Sequence, residues 1–295
     1  MRVVATLTTL PGRYEILTET IESLKNQTYK LDAIYLAVPK RAARLDLTYQ
    51  ELPDHIVRDC KIIHPPMDYG PVTKIYGGIY AESDPNTVII SFDDDVRYPP
   101  NFVEVMMKYH HQNPNVAICG TGALVGRGVL GISIISNLDE FRSLSRMGGF
   151  NVPRYGRPVD IIYGVGGVLF VRKFFPKNED LVDKIFKYAQ KNRAIFLNDD
   201  VLISGYLCKN GIKRVLYHDI PSVTCLENKS GNALSKDFFK SFMTFKESIR
   251  ECLKYGLFPT MEPVGAQETA FGKILIVFLF VIGMVAGFYG LIIKE

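Results

Sequence analysis

Apolar positions in the first hundred residues switch between two periods. RVVATLT, from Arg2, is rich in β-branched residues and reads as a strand ending at the turn TLPGRY. YEILTETIESLKN follows with Ile16, Leu17, Thr20, Ile21 and Leu24 on one helical face. DAIYLAVP is the next strand, closed by Pro39. CKIIH and TVIISF supply two more short apolar runs, and GPVTKIYGGIYAES between them fits a helix. Strands that alternate with helices predict an α/β fold with a mostly parallel sheet and helices on both faces.

The second half is less regular. NVAICGTGALVG and GISIIS predict strands, and residues 137–157, with their glycines, prolines and arginines, predict a loop or lid. IIYGVGGVLFVRKFF resumes the apolar pattern, NDDVLISGYLCKNG reads as an acid-started helix stopped at Asn210-Gly211, and IKRVLYHDI is a last strand. Beyond it, Phe238, Phe242, Phe245, Ile249 and Leu253 share a helical stripe, with Lys236, Lys240, Lys246, Arg250 and Lys254 over the rest. This pattern suits a helix packed on the domain, or a basic amphipathic helix against an anionic membrane. Residues 274–293 carry no charge and are bracketed by Lys273 and Lys294. At about 1.5 Å per residue they span roughly 30 Å, the thickness of a bilayer's hydrocarbon core. The expected organisation is therefore a domain over 1–230, a juxtamembrane segment over 231–272 and a transmembrane anchor over 273–293. The N-terminus has too short an apolar stretch for a signal peptide. This predicts a single-pass tail anchor with the domain in the cytosol.

Composition changes this picture little. The chain has 295 residues, 47% of them apolar, which is ample for a core. A formal charge of +4 argues against a protein that wraps a polyanion, so no nucleic-acid partner is expected. Five scattered cysteines without a C-x-x-C pair suit reduced thiols better than a disulfide framework or a zinc site.

The candidate chemistry begins where TVIISF ends, at Asp93, Asp94 and Asp95. Adjacent carboxylates at the exit of a buried strand repel one another and call for positive charge. In extended backbone Asp93 and Asp95 point to the same side, as a pair suited to a hard divalent ion that also carries phosphate oxygens. A solvated acidic turn is the plain alternative, and the spacing of an EF-hand is absent. Asp199 and Asp200 form a second acidic pair at a helix start, where capping alone needs only one such residue. His218 ends a strand and is a candidate imidazole ligand for the same metal. YGVGGVLF precedes a strand and so is no dinucleotide fingerprint, and DYGPVTKI lacks the spacing of a phosphate loop. Lys74 within it remains a candidate point charge for a diphosphate.

Several of these stretches together resemble family 2-type glycosyltransferases of the GT-A fold. TTLPGRYEILTETIESLKNQTY is similar to that family's opening, with Ser23, Leu24, Gln27 and Thr28 matching its S-L-x-x-Q-T pattern. SFDDDVRYPPNFV resembles the metal motif, YGVGGVLFVRKFF the acceptor-side glycine segment, and NDDV the site where inverting members carry Glu-Asp. The motifs occur in order over roughly residues 1–220, and YGPVTK before the aspartates is similar to small glycosyltransferases encoded by large DNA viruses. The resemblance implies Asp200 as catalytic base with Asp199 as its acidic partner. It further implies Thr8, Arg13, Lys74, Asp93 and Asp94 at the donor nucleotide, and Asp95, with Asp93 and His218, at Mn2+ or Mg2+. The implied reaction moves one sugar from a nucleotide-diphosphate sugar, UDP-linked in the first instance, to a glycan, glycoprotein or lipid acceptor with inversion. The chain departs from the family's usual pattern in reading Asn-Asp-Asp for Glu-Asp. It also lacks the Q-x-x-R-W motif of processive synthases.

Two other classes stand beside this one. A nucleotidyltransferase acting on sugar phosphates also uses carboxylate-held metals on α/β sheets. A non-catalytic, membrane-anchored sugar- or calcium-binding module explains one acidic cluster but leaves the second idle.

Overall fold

An eight-stranded sheet organises the chain. In the computed structural model, which describes residues 1–125, 133–135, 156–175, 179–226 and 238–259, its strands are β1 (Val3–Thr8), β2 (Ala33–Ala37), β3 (Lys61–Ile63), β4 (Val88–Ser91), β5 (Val116–Cys119), β6 (Arg157–Pro158), β7 (Val168–Val171) and β8 (Lys213–Leu216). Their order across the sheet is β6-β8-β5-β7-β4-β1-β2-β3. Six of the eight run parallel; β7 and β6 are antiparallel to their neighbours. The mostly parallel sheet expected from the alternating pattern is therefore present. β1 and β4 are buried almost throughout, as strands covered on both faces must be. β1 pairs with β2 on one side and β4 on the other, so the strand order reverses between β1 and β4. Such a switch point leaves a crevice beyond the carboxyl ends of the strands.

Each face of the sheet carries its own apolar layer. One holds Leu17, Ile21 and Leu24 of α1 (Tyr14–Lys25), Ile56 of α2 (Asp54–Asp59), and Phe102, Val103, Met106 and Met107 of α4 (Phe102–Gln112). The other lies under α3 (Tyr76–Ala81), α5 (Glu179–Lys191), α6 (Arg193–Leu197), α7 (Asp199–Lys209) and α8 (Phe238–Lys254). The helix expected over 70–83 begins as a 3-10 segment, Gly70–Ile75, before α3. Gly70 has a φ of +78°, and a Cβ there would stand 2.3 Å from the carbonyl oxygen of Phe196. Only glycine combines that backbone with so close an approach.

Beyond the boundary expected near residue 230, the helix packs on the domain, as one reading of its stripe predicted. Ile249, Cys252, Leu257 and Phe258 belong to the layer built by α5–α7, with Phe245 and Leu253 packed against it. Arg250 and Lys254 stay exposed. The helix is thus docked on the domain by its apolar stripe, and the core runs on through Phe258. Residues 274–293 and all of the expected lid except Gly156 and Arg157 lie outside the described residues. No helix among the described residues is long and apolar enough to cross a membrane. All five cysteines are free thiols.

One buried group makes the fold pH-sensitive. His110 on α4 is 4% exposed, and its Nδ1 has no hydrogen-bond partner. Burial, then the nearby positive charge of His111 and Lys173, lowers its pKa below the ordinary 6.5. A base with a depressed folded pKa supports the fold fully above its unfolded pKa and loses that support as pH falls toward the folded value. Urea unfolding should therefore show a lower midpoint at pH 5.5 than at pH 7.5, with a smaller difference in His110→Phe. An equal difference in the variant would clear His110 of any part in it.

Candidate active site

The three aspartates follow β4 directly. Asp94 and Asp95 form a turn leading to a short strand, Val96–Arg97, instead of extended backbone. The cause is downstream: Val96–Arg97 pairs with Thr224–Cys225, and Leu226 N–H donates to the Asp95 carbonyl at 2.8 Å. Each carboxylate consequently has its own surroundings. Asp93 accepts from Lys74 Nζ at 2.5 Å, and its backbone N–H donates to the Tyr98 hydroxyl at 3.0 Å. Asp94 is buried, accepting from Arg13 and from the Thr9 hydroxyl, each at 2.6 Å. Asp95 accepts from the other terminal nitrogen of Arg13, also at 2.6 Å. Burial pushes the Asp94 carboxyl up to about 6 despite the pull of Arg13, and the neighbouring Asp95 and Asp93 add to the rise. The positive charge that three carboxylates require is supplied by Arg13 and Lys74.

The polar residues of SLKNQT hold this turn from below. Ser23 Oγ accepts from Tyr98 N–H at 3.2 Å, and Gln27 Nε2 donates to the Pro99 carbonyl at 2.8 Å while its Oε1 accepts from Val103 N–H at 2.9 Å. Thr20, read from the sequence as part of an apolar face, donates to the Asp94 carbonyl at 2.9 Å. Buried polar groups keep their place only when paired, and here the pairing fixes the segment that follows the aspartates.

The second acidic pair opens α7 and meets the first at Lys74. Nζ lies 2.9 Å from Asp199 Oδ2, outside the hydrogen-bond direction, so the two are charge-paired without a shared proton. Asp200 Oδ1 accepts from Gly164 N–H at 2.8 Å. Neither bond caps the helix. The N-cap is Asn198, without a side-chain cap bond, so both carboxylates turn into the cluster. A Cβ on Gly164 would lie 2.9 Å from Lys74 Nζ, 3.1 Å from Asp200 Oδ1 and 3.6 Å from Asp93 Oδ1. The glycine segment is therefore the wall against which residues 74, 93 and 200 converge. Burial alone would lower the Lys74 pKa, but Asp199, Asp93 and Asp200 outweigh it and hold the ammonium charged. Asp200 is partly open to solvent, yet protein packs closely around it. Desolvation, then Asp199, pushes its carboxyl well above the usual range, with Lys74 opposing.

Among the residues expected at the donor nucleotide, Arg13, Lys74, Asp93 and Asp94 meet in these networks. Thr8 ends β1 beside them and donates its hydroxyl to the Ala37 carbonyl at 2.7 Å. His218 does not join. It follows β8, and two strands lie between β8 and β4 in the sheet. Burial lowers its pKa, and the charges acting on it are Arg157 and Asp219. Among the described residues no three His, Cys, Asp or Glu side chains gather into a metal-binding group. The expected ligand set of Asp93, Asp95 and His218 is therefore not assembled. Asp93 and Asp95 by themselves fit a hard divalent ion: their side chains are 25% and 30% exposed, and such an ion takes its remaining ligands from water and phosphate. Tyr98, Thr9 and Gly164 escaped the residue-by-residue reading. Each nevertheless lay in a stretch that had drawn notice: TTLPGRYEILTETIESLKNQTY, SFDDDVRYPPNFV and YGVGGVLF.

No curated protein matches the chain. Among solved structures it resembles GalNAc-T7, crystallised with UDP, GalNAc and Mn2+, at a TM-score of 0.50 and 11% identity. The similarity covers 78% of this chain and 45% of that one, and it shows a shared GT-A-like fold. Lys74 and the three aspartates lie within the stretch that matches a family model, whereas Asp199, Asp200 and His218 lie beyond it. That stretch, residues 9–175, is more than half of the chain, and it matches the family described as Glycosyl transferase family 2; the chain belongs to that family.

Proposed function

We propose that this glycosyltransferase moves one sugar from a nucleotide-diphosphate sugar, UDP-linked in the first instance, to an acceptor hydroxyl with inversion. The observation that carries the reading is the convergence of two acidic pairs, far apart in sequence, on Lys74 and Gly164. It lies at the carboxyl edge of a mostly parallel sheet, beside a switch point where such folds bind ligands.

Asp200 is the base. Its carboxyl is held by one backbone N–H, is partly open to solvent, and is made more basic by its surroundings. It takes the acceptor's proton as the acceptor oxygen bonds to the anomeric carbon from the face opposite the breaking bond to diphosphate. Asp199, paired with Lys74, sets the charge beside it. Arg13 and Thr9 hold Asp94 inward, leaving Asp93 and Asp95 to face the donor. Asp93 and Asp95 would hold a divalent cation, which would supply Lewis-acid stabilisation of the leaving diphosphate. The apolar run at 274–293 serves as a membrane anchor, and the free thiols suit a reducing, cytosolic setting for the domain.

The test incubates the full-length protein in detergent with a panel of nucleotide sugars, with Mn2+ or with chelator. Release of nucleoside diphosphate from one donor, in Mn2+ alone, is expected. No release and no binding of any nucleoside diphosphate would overturn the reading.

A further inference from the structure

Lys74 stands where two chemistries compete. Its Nζ is 2.5 Å from Asp93 Oδ1, an oxygen a divalent cation at this site would use, and 2.9 Å from Asp199 Oδ2. The residue is 6% exposed, so its ammonium is not an incidental visitor from solvent. We propose that Lys74 is a resident cation that competes with the divalent metal for Asp93, so that tight metal binding waits for the donor's diphosphate. This rests on the reading of the site given above.

Three features support it. Charges held a few ångströms apart in a partly desolvated pocket interact strongly, so an ammonium on Asp93 repels a dication approaching the same carboxylate. Lys74 is anchored at its base and held at its tip by two carboxylates. The 3-10 segment carrying Lys74 is fixed by the close approach of Gly70 to the Phe196 carbonyl, while a four-carbon stem leads to rotatable donors. Only Asp93 receives a hydrogen bond from Nζ, since Asp199 Oδ2 lies off the bond direction. A Cβ at position 164 would crowd Nζ at 2.9 Å, so the glycine there is what lets the ammonium sit against Asp93. A diphosphate entering beside Asp93 gives Lys74 a second anion to move to, and both cations then share the diphosphate. Linkage makes the effect reciprocal: diphosphate tightens the metal and the metal tightens the diphosphate.

The test measures Mn2+ binding to the full-length protein through loss of the free aquo-ion's paramagnetic resonance signal, with and without UDP. Wild type, Lys74→Gln, Lys74→Met and Lys74→Arg are compared, each checked for its fold by circular dichroism. UDP should tighten Mn2+ binding to wild type about tenfold or more. The two neutral variants should bind Mn2+ alone about tenfold more tightly than wild type and gain less from UDP. Lys74→Arg, which keeps the charge, should stay within about threefold of wild type. Neutral variants that bind Mn2+ alone no better than wild type would overturn the proposal, as would an equal gain in Lys74→Arg. A wild type that binds Mn2+ with UDP beside unresponsive variants removes only the role of Lys74. A wild type that binds neither removes the donor site itself.

Discussion

Replacing Asp200 by asparagine should lower kcat by about 10²- to 10⁴-fold, the usual worth of a positioned general base. The change is nearly isosteric, and an amide oxygen can still accept from Gly164 N–H, so the fold and the glycine wall should survive it. The donor KM should move little, because the lost step is proton removal from the acceptor and not donor binding. Asp199→Asn is the informative companion. Asp199 is paired with Lys74, so its loss should act on donor binding as well as on turnover. Steady-state kinetics on both variants decides between them. If Asp200→Asn keeps kcat within tenfold of wild type while Asp199→Asn loses it, the base is Asp199.

Asp95→Ala should remove most Mn2+-dependent turnover, by about 10²- to 10³-fold, comparable to deleting one preorganised group that stabilises developing negative charge. The substitution frees one terminal nitrogen of Arg13 but leaves the rest of the turn in place. Arg13 retains its bond to Asp94 at 2.6 Å, and the turn keeps its contact from Leu226 N–H to the residue-95 carbonyl, which any residue offers. Turnover measured against Mn2+ concentration, with an unfolding curve as control, separates metal loss from misfolding. Unchanged Mn2+ dependence would show that Asp95 is not a metal ligand.

Much of the candidate site could be read from the chain because its residues sit where a strand ends and where a helix begins. The short apolar run Val88–Ser91 before three carboxylates, and the acid-started helix at Asp199, mark both halves of the candidate site without any tertiary information. The three aspartates lie at the exit of a parallel strand, where such sheets bind ligands, whereas Asp199 follows another helix, so packing and not strand direction brought the two halves together. The division of labour within the triplet was not legible. Asp93, Asp94 and Asp95 are chemically identical. Asp94 becomes a buried partner of Arg13 and Thr9 only because the chain turns there, and it turns because Thr224–Cys225 pairs with the strand that follows.

His218 shows the opposite failure. A histidine at the end of a strand has the chemistry of a ligand, but strand order decides which neighbours it meets, and two strands separate β8 from β4. The basic helix after residue 235 is a different case: of its two readings, the helix packed on the domain is the one the structure bears out. Its stripe was legible, yet a stripe does not say whether protein or lipid covers it, and packing of Ile249 and Cys252 under α7 supplied the answer.

By itself, then, the sequence determined the alternation of strands and helices, the two acidic pairs and the glycine segment, because these depend on local periodicity and residue chemistry. Tertiary structure alone decided that Lys74 would join the two pairs, that Gly164 would wall them and that His218 would stay apart. Those outcomes depend on distances between residues tens of positions apart, and strand order and packing set such distances where no local pattern records them.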